Sequence, residues 1–180
     1  MLYSGRPNEW GWSTSNFGAT YTEAGFGTSI PGHATTANTK GAATSMLAGA
    51  SVTEDVYGIE IVVVGGFTAV NVRRFLADLL IDPAGGTSWT TIINNLAFGG
   101  PAWIQSGYKY YFPLYLKSGT SIGMQQQCTT AAIAFRAGVK LFGKPSRPDK
   151  VDCGTKVETF GATTASSSGT AITPGNGAMG

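Results

Sequence analysis

Ten residues late in the chain, Ala134 to Gly143 (AFRAGVKLFG), put Phe135, Ala137, Val139 and Leu141 on one side and Arg136 and Lys140 on the other. A period of two is the mark of a strand with one face against a core and one in water. The same period recurs in Val56 to Val64, where Tyr57, Ile59, Ile61 and Val63 share a face, and in Ser88 to Leu96, where Trp89, Thr91 and Ile93 do. Tyr108 to Leu116 (YKYYFPLYL) is aromatic-rich, and Pro113 inside it predicts an edge position or a bulge, because proline cannot donate to a ladder. The turn Lys117-Ser118-Gly119-Thr120 then leads into Ser121 to Thr129, which predicts a hairpin with Ile122, Met124, Gln126 and Cys128 facing inward. Val72 to Ile81 fits both periods; its strand neighbours and the turn Asp82-Pro83-Ala84-Gly85-Gly86 favour a strand over a short helix. With Ala42 to Ala48 and Gly154 to Phe160 added, about eight strands are expected. The fold class is therefore all-β, an antiparallel sandwich, and jelly-roll-like because the Cys and Trp signature of an immunoglobulin domain is absent.

The two ends of the chain resemble each other. Phe17-Gly18-Ala19-Thr20 opens a stretch that closes at Pro31-Gly32, and Phe160-Gly161-Ala162-Thr163 opens one that closes at Pro174-Gly175. Between these markers lie mostly Thr, Ser, Ala and Gly, a composition with too few apolar side chains for a private core. The expected organisation is an extended N-terminal arm over residues 1–38, a β-sandwich body over 39–159 and an extended C-terminal arm over 160–180. The arms would pack on the body or on neighbouring molecules. Trp10, Trp12, Phe17, Tyr21, Phe160 and Ile172 are the expected partner-binding residues, large side chains on segments otherwise poor in them.

Composition points the same way. Charged residues make up 12% of the chain and hydrophobic ones 42%, so charge is about half of what an ordinary domain carries. A surface so poor in charge is expected to be covered by partners. The net charge of +2 is too small to imply nucleic acid, and the one basic cluster, Lys140, Lys144, Arg147, Lys150 and Lys156, is interrupted by Asp149, Asp152 and two prolines. The opening residues lack the charged and apolar regions of a signal peptide, and the longest apolar stretch, Ile59 to Phe67, is far short of the roughly 20 residues that span a bilayer. No membrane and no nucleic-acid partner is expected.

No chemistry is expected either. A Ser, His and Asp arrangement needs its base beside the nucleophile, and the single histidine, His33, sits in an Ile30-Pro31-Gly32-His33-Ala34 loop without a Gly-x-Ser-x-Gly elbow. Two cysteines and one histidine without recurrent Asp-x-Asp spacing provide no zinc or calcium shell. Glu54, Asp55, Glu60, Asp78 and Asp82 are the carboxylates a glycosidase would need, but Glu54 and Asp55 are adjacent and so diverge in an extended chain, while Glu60 and Asp78 lie in predicted strands. The sequence therefore predicts no catalytic residue, no metal and no cofactor. Cys128 packs as a small apolar residue or bridges to Cys153 or to another subunit.

The arm SGRPNEWGWSTSNFGATYT, the strand Tyr110-Tyr111-Phe112-Pro113-Leu114 running into Lys117-Ser118-Gly119-Thr120, and the tail TKVETFGATTASSSGTAITPG resemble small virion structural proteins of tailed bacteriophages over nearly the whole chain. The resemblance implies a jelly-roll body on the phage particle, as a capsid decoration (cement) protein or a neck, collar or baseplate component. Its implied partners are other copies of itself, as in a homotrimer, and virion proteins such as the major capsid protein. Its implied location is the virion, after synthesis in the host cytoplasm. The alternative from the residues themselves is a carbohydrate-binding module in which Trp103, Tyr108 and Tyr110 line one groove as a sugar platform.

Overall fold

The structure, a computed structural model, describes residues 9–12, 27–64, 73–100, 108–143, 152–159 and 164–166. Nine strands run through them: β1 (Glu9–Trp12), β2 (Thr28–Ile30), β3 (Thr44–Leu47), β4 (Gly58–Val64), β5 (Arg73–Asp82), β6 (Thr90–Gly100), β7 (Tyr108–Phe112), β8 (Ser121–Cys128) and β9 (Phe135–Phe142). All strand pairings are antiparallel. One sheet has five strands, with β1 and β2 both on β9, followed by β4 and β7; the other runs β3-β8-β5-β6. The order β2-β9-β4-β7 against β3-β8-β5-β6 is that of a jelly roll, in which the chain passes from sheet to sheet at nearly every connection.

Alternation explains which faces meet. Phe135, Ala137, Val139 and Leu141 of β9, Ile59, Ile61 and Val63 of β4, and Ile122, Met124, Gln126 and Cys128 of β8 are all buried between the sheets. Phe75 stacks on Phe98 at 5.1 Å, and Phe135 meets both rings edge-on at 5.7 and 4.9 Å, which joins the sheets at one end of the core. Residues 73–82 form a strand, and the ambiguity of their pattern has a physical cause. Phe75, Ala77 and Leu79 face the core, while Leu76, Asp78 and Leu80 on the opposite face are also buried, so the alternation of a half-exposed strand is absent.

The structure corrects three local expectations. Residues 108–116 and 121–129 do not form a hairpin: β7 pairs with β4, whereas β8 pairs with β3 and β5 in the other sheet. The turn between them carries Gly119 at φ 82°, and it is tied down by the Gly119 N–H to Val52 O and the Ser118 N–H to Asp55 Oδ1. Trp89, Thr91 and Ile93 do not share one face, because β6 is irregular. Ile93 lies opposite core-facing Leu79, Thr91 lies opposite Leu80, and Ile92 is the extra residue between them. Trp89 instead reaches over Gly123, where a Cβ would meet its ring at 3.0 Å. Residues 154–159 form no full strand; Gly154 bridges to Leu114 and Val157 to Ile93, and Phe160 lies outside the described residues.

Candidate interaction surfaces

The far edge of β9 takes two short strands in line. β1 covers its end near Phe142, with Glu9 opposite Phe142, Gly11 opposite Leu141 and Trp12 opposite Lys140; β2 covers its start, with Thr28, Ser29 and Ile30 opposite Ala137, Arg136 and Phe135. Ile30 is fully buried, so β2 contributes a side chain to the core. Arg136 donates to Gly27 O at 3.3 Å where the chain enters β2. The stretch 1–38, expected as an arm, thus includes two segments that pair with the body sheet.

The opposite flank, between β6 and β7, is closed by tyrosines and by a strap. Tyr108 OH donates to Gly99 O, and Tyr110 OH donates to Ala97 O at 2.9 Å. These carbonyls belong to β6, the edge strand of its sheet, so the hydroxyls occupy acceptors that an incoming strand would otherwise use. Burial, and secondarily the neighbouring Tyr108, push the Tyr110 phenol up from its ordinary value. Residues 152–159 then tie the two sheets together. Gly154 exchanges backbone hydrogen bonds with Pro113 and Tyr115 at 2.9 Å each, beyond β7, and the Val157 N–H donates to Ile92 O at 2.7 Å on β6. Ile92 is the irregular residue of β6, so its displaced carbonyl is what the strap uses. Further along, the Ala165 N–H donates to Gln127 Oε1 at 3.0 Å, and Ala165 is buried against β8.

Among the described residues two large aromatics stand out from the surface: Tyr111 at 46% exposure and Tyr115 at 39%. Tyr111 meets Phe142 edge-on at 5.4 Å and lies over Gly58, where a Cβ would touch its hydroxyl. Tyr115 meets Tyr57 edge-on at 5.6 Å and donates to Asp55 Oδ2 at 3.1 Å; that hydrogen bond, more than burial, raises its phenol above the ordinary value. The loop Pro113-Leu114-Tyr115 turns Tyr115 outward, because Val56 pairs with Leu116 while Ile59 pairs with Phe112. Pro113 signalled that irregularity in the sequence, but which tyrosine it would expose depended on the register with β4.

On the outward face of the four-stranded sheet a polar cluster is closed on itself. Lys40 Nζ donates to Asp78 Oδ1 at 2.6 Å, Asn95 Oδ1 at 2.9 Å and Leu76 O at 3.4 Å; Asp78 also accepts from the Asn95 N–H and from Gln125 Nε2, each at 2.8 Å. Asn95 sits at φ 54° in a second irregularity of β6, where Asn94 and Asn95 lie opposite the single residue Asp78. Burial depresses the Lys40 ammonium, and Asp78 partly offsets it. With its donors and acceptors used internally, the cluster holds the bulge in place and leaves little to offer a ligand. His33 is similarly local, its Nδ1 accepting from the Thr36 N–H at 3.1 Å. Among the described residues no group of three or more His, Cys, Asp or Glu is arranged to hold a metal ion, and no helix is long and apolar enough to cross a membrane.

Of the expected partner-binding residues, Trp10 and Trp12 fall in β1 on the β9 edge, and Phe17, Tyr21, Phe160 and Ile172 lie outside the described residues, as does Trp103. Of the expected sugar platform, Tyr108 and Tyr110 are partly buried against the core, their rings stack at 6.4 Å and their hydroxyls reach β6, while Trp103 lies outside the described residues. Cys128 and Cys153 are free thiols, the second donating to Tyr57 O at 3.2 Å. No protein-family profile matches the chain, and no curated protein matches it. Among solved structures it is similar to the CBM22-1 xylan-binding domain of Paenibacillus barcinonensis Xyn10C, at 16% identity and a TM-score of 0.39, over 62% of this chain and 70% of that one.

Proposed function

We propose that this protein is a non-enzymatic structural component of a tailed-phage virion, a decoration subunit that joins copies of itself and other virion proteins through its sheet edges and terminal segments. One observation carries the reading: β1, β2 and residues 152–159 engage the body largely by backbone pairing at sheet edges. Edge pairing is made of N–H and C=O groups, so a strand from a neighbour is an equivalent partner. The low charge of the chain supports the same reading. Deletion of residues 1–16 removes β1 and keeps β2 and the core. The truncated protein is expected to fold, with an unchanged β-type circular dichroism spectrum, and to be missing from purified particles; incorporation at full occupancy overturns the proposal.

A second reading, carbohydrate binding, is favoured by the exposure of Tyr111 and Tyr115. A glycan array separates the two: a saturable hit supports sugar binding, and a blank array removes it.

A further inference from the structure

The polar cluster on the outward face of the four-stranded sheet brings together an amine, a carboxamide and a carboxyl group, the parts of an amide-forming reaction. Lys40 lies in the loop preceding β3, Asp78 in β5 and Asn95 in β6, so the cluster reaches from one edge of the sheet to the other. Lys40 Nζ is 2.9 Å from Asn95 Oδ1. A carbonyl oxygen is about 1.2 Å from its carbon, so Nζ lies within about 4 Å of the Asn95 acyl carbon Cγ, close to the roughly 3 to 3.5 Å of a near-attack arrangement. Asp78 Oδ1 stands 2.6 Å from the same nitrogen, on a side chain that is 5% exposed. Leu76 O at 3.4 Å gives Nζ a third acceptor, and Gln125 Nε2 at 2.8 Å fixes the other carboxylate oxygen. The bulge is what delivers the carboxamide. Asn94 and Asn95 together lie opposite Asp78, and Asn95 takes φ 54°, so β6 breaks its alternation at the residue whose side chain meets the lysine. An ion pair by itself requires neither the bulge nor an asparagine. Burial depresses the Lys40 ammonium, which favours the neutral, nucleophilic amine.

From this geometry we infer that Lys40 and Asn95 join in an intramolecular amide cross-link, with Asp78 carrying the protons. Before reaction the three groups make the ion pair and hydrogen bonds described above. Asp78 Oδ1 takes one proton from the Lys40 ammonium. The lone pair of the neutral amine then bonds to Asn95 Cγ, and the C=O π pair moves onto Oδ1. The Asp78 carboxylic acid gives its proton to Nδ2 and takes one from Nζ. The Oδ1 pair restores C=O, and Nδ2 leaves as ammonia with the electrons of its bond to Cγ. Ammonia collects the remaining proton from Asp78 and departs as ammonium. An ammonium and a carboxamide thus become a secondary amide and an ammonium ion, with nothing oxidised and no co-reactant consumed. The cross-link passes over β8 and β5 and joins positions 55 apart in the chain, a closure long enough to restrict the unfolded chain strongly. It does not depend on the assembly role proposed above.

The test is the intact mass of the full chain, measured under denaturing conditions at intervals after refolding, beside Lys40→Arg, Asn95→Ala and Asp78→Asn prepared in the same way. The parent chain is expected to fall below its sequence mass by one ammonia, while the three variants keep theirs. Tandem mass spectrometry of a protease digest is expected to show a branched peptide joining Lys40 to Asn95. A parent chain that stays at its sequence mass overturns the cross-link and leaves an ion pair only. Loss of water with a branch between Lys40 and Asp78 also overturns it, as does an ammonia loss that maps to an imide at a single asparagine such as Asn176, which precedes Gly177. The parent chain alone carries the deciding measurement, so a variant that fails to fold does not blunt it. Aged, reacted protein is further expected to unfold at a higher urea midpoint than the same protein freshly refolded; equal midpoints would remove the stapling role.

Discussion

Asp78 shows what a buried charge does in this protein. Its carboxylate is 5% exposed and Lys40 keeps 26% of its side chain in water. Replacing Asp78 by Ala leaves the Lys40 ammonium half-desolvated and the Asn95 N–H and Gln125 amide without their acceptor. The expected loss is about 2 to 3 kcal/mol, at the low end for a broken buried pair because Lys40 is only partly withdrawn from water. Urea denaturation reads it, and an unchanged midpoint would refute the structural role. Asp82 behaves differently because its partners are backbone groups: the Ser88 and Ala84 N–H groups hold its carboxyl below the ordinary 3.8. A lowered carboxyl stabilises the fold fully above its ordinary value and stops doing so as pH falls through its folded value. The fall in urea midpoint from about pH 5 toward pH 2 is therefore expected to be shallower in Asp82→Asn than in the parent chain, and equal slopes would refute it. Neither role was legible in the sequence. Lys40 and Asp78 are 38 positions apart and meet only because β8 and β5 are neighbours, whereas the Asp82-Pro83-Ala84-Gly85-Gly86 turn was visible from local chemistry alone.

Among the elements, a strand's legibility followed how regularly its side chains alternate in polarity. The inward residues of β8 and β9 were read correctly because those positions are mostly apolar and the outward ones mostly glycine, polar or charged, although half or more of the outward positions are buried too. β5 was ambiguous because it is apolar on both sides, and β6 was misread because two irregularities reset its alternation at Ile92 and Asn95. The hairpin expected after β7 failed for a different reason. A short turn with glycine looks the same whether it returns the chain within a sheet or carries it across to the other, and only pairing partners distant in sequence decide. β7 itself yields a prediction. Tyr110→Phe removes the hydroxyl that caps Ala97 O while keeping the ring, and is expected to cost about 1 kcal/mol. It should also leave the β6 edge more open, so faster amide exchange on β6 is the second readout. A variant matching the parent in both measurements would mean that the cap contributes nothing.

At the scale of the whole molecule, the fold class was legible, whereas the placement of β1, β2 and the strap at 152–159 along sheet edges required the topology. The exposed pair Tyr111 and Tyr115 required it too, since exposure there is decided by the register of β7 on β4. The placement of β9 has one more consequence. It lies between β4 and the N-terminal strands β1 and β2, so a strand made late in synthesis fills the slot that joins the earliest strands to the rest of their sheet. While a ribosome is still making residues 135–142, β2 has no partner and β4 lacks one neighbour, so the body closes only after that stretch has emerged. Nascent chains must therefore wait with open, apolar edges, and polysome density together with the cell's chaperones sets how many reach the closed form.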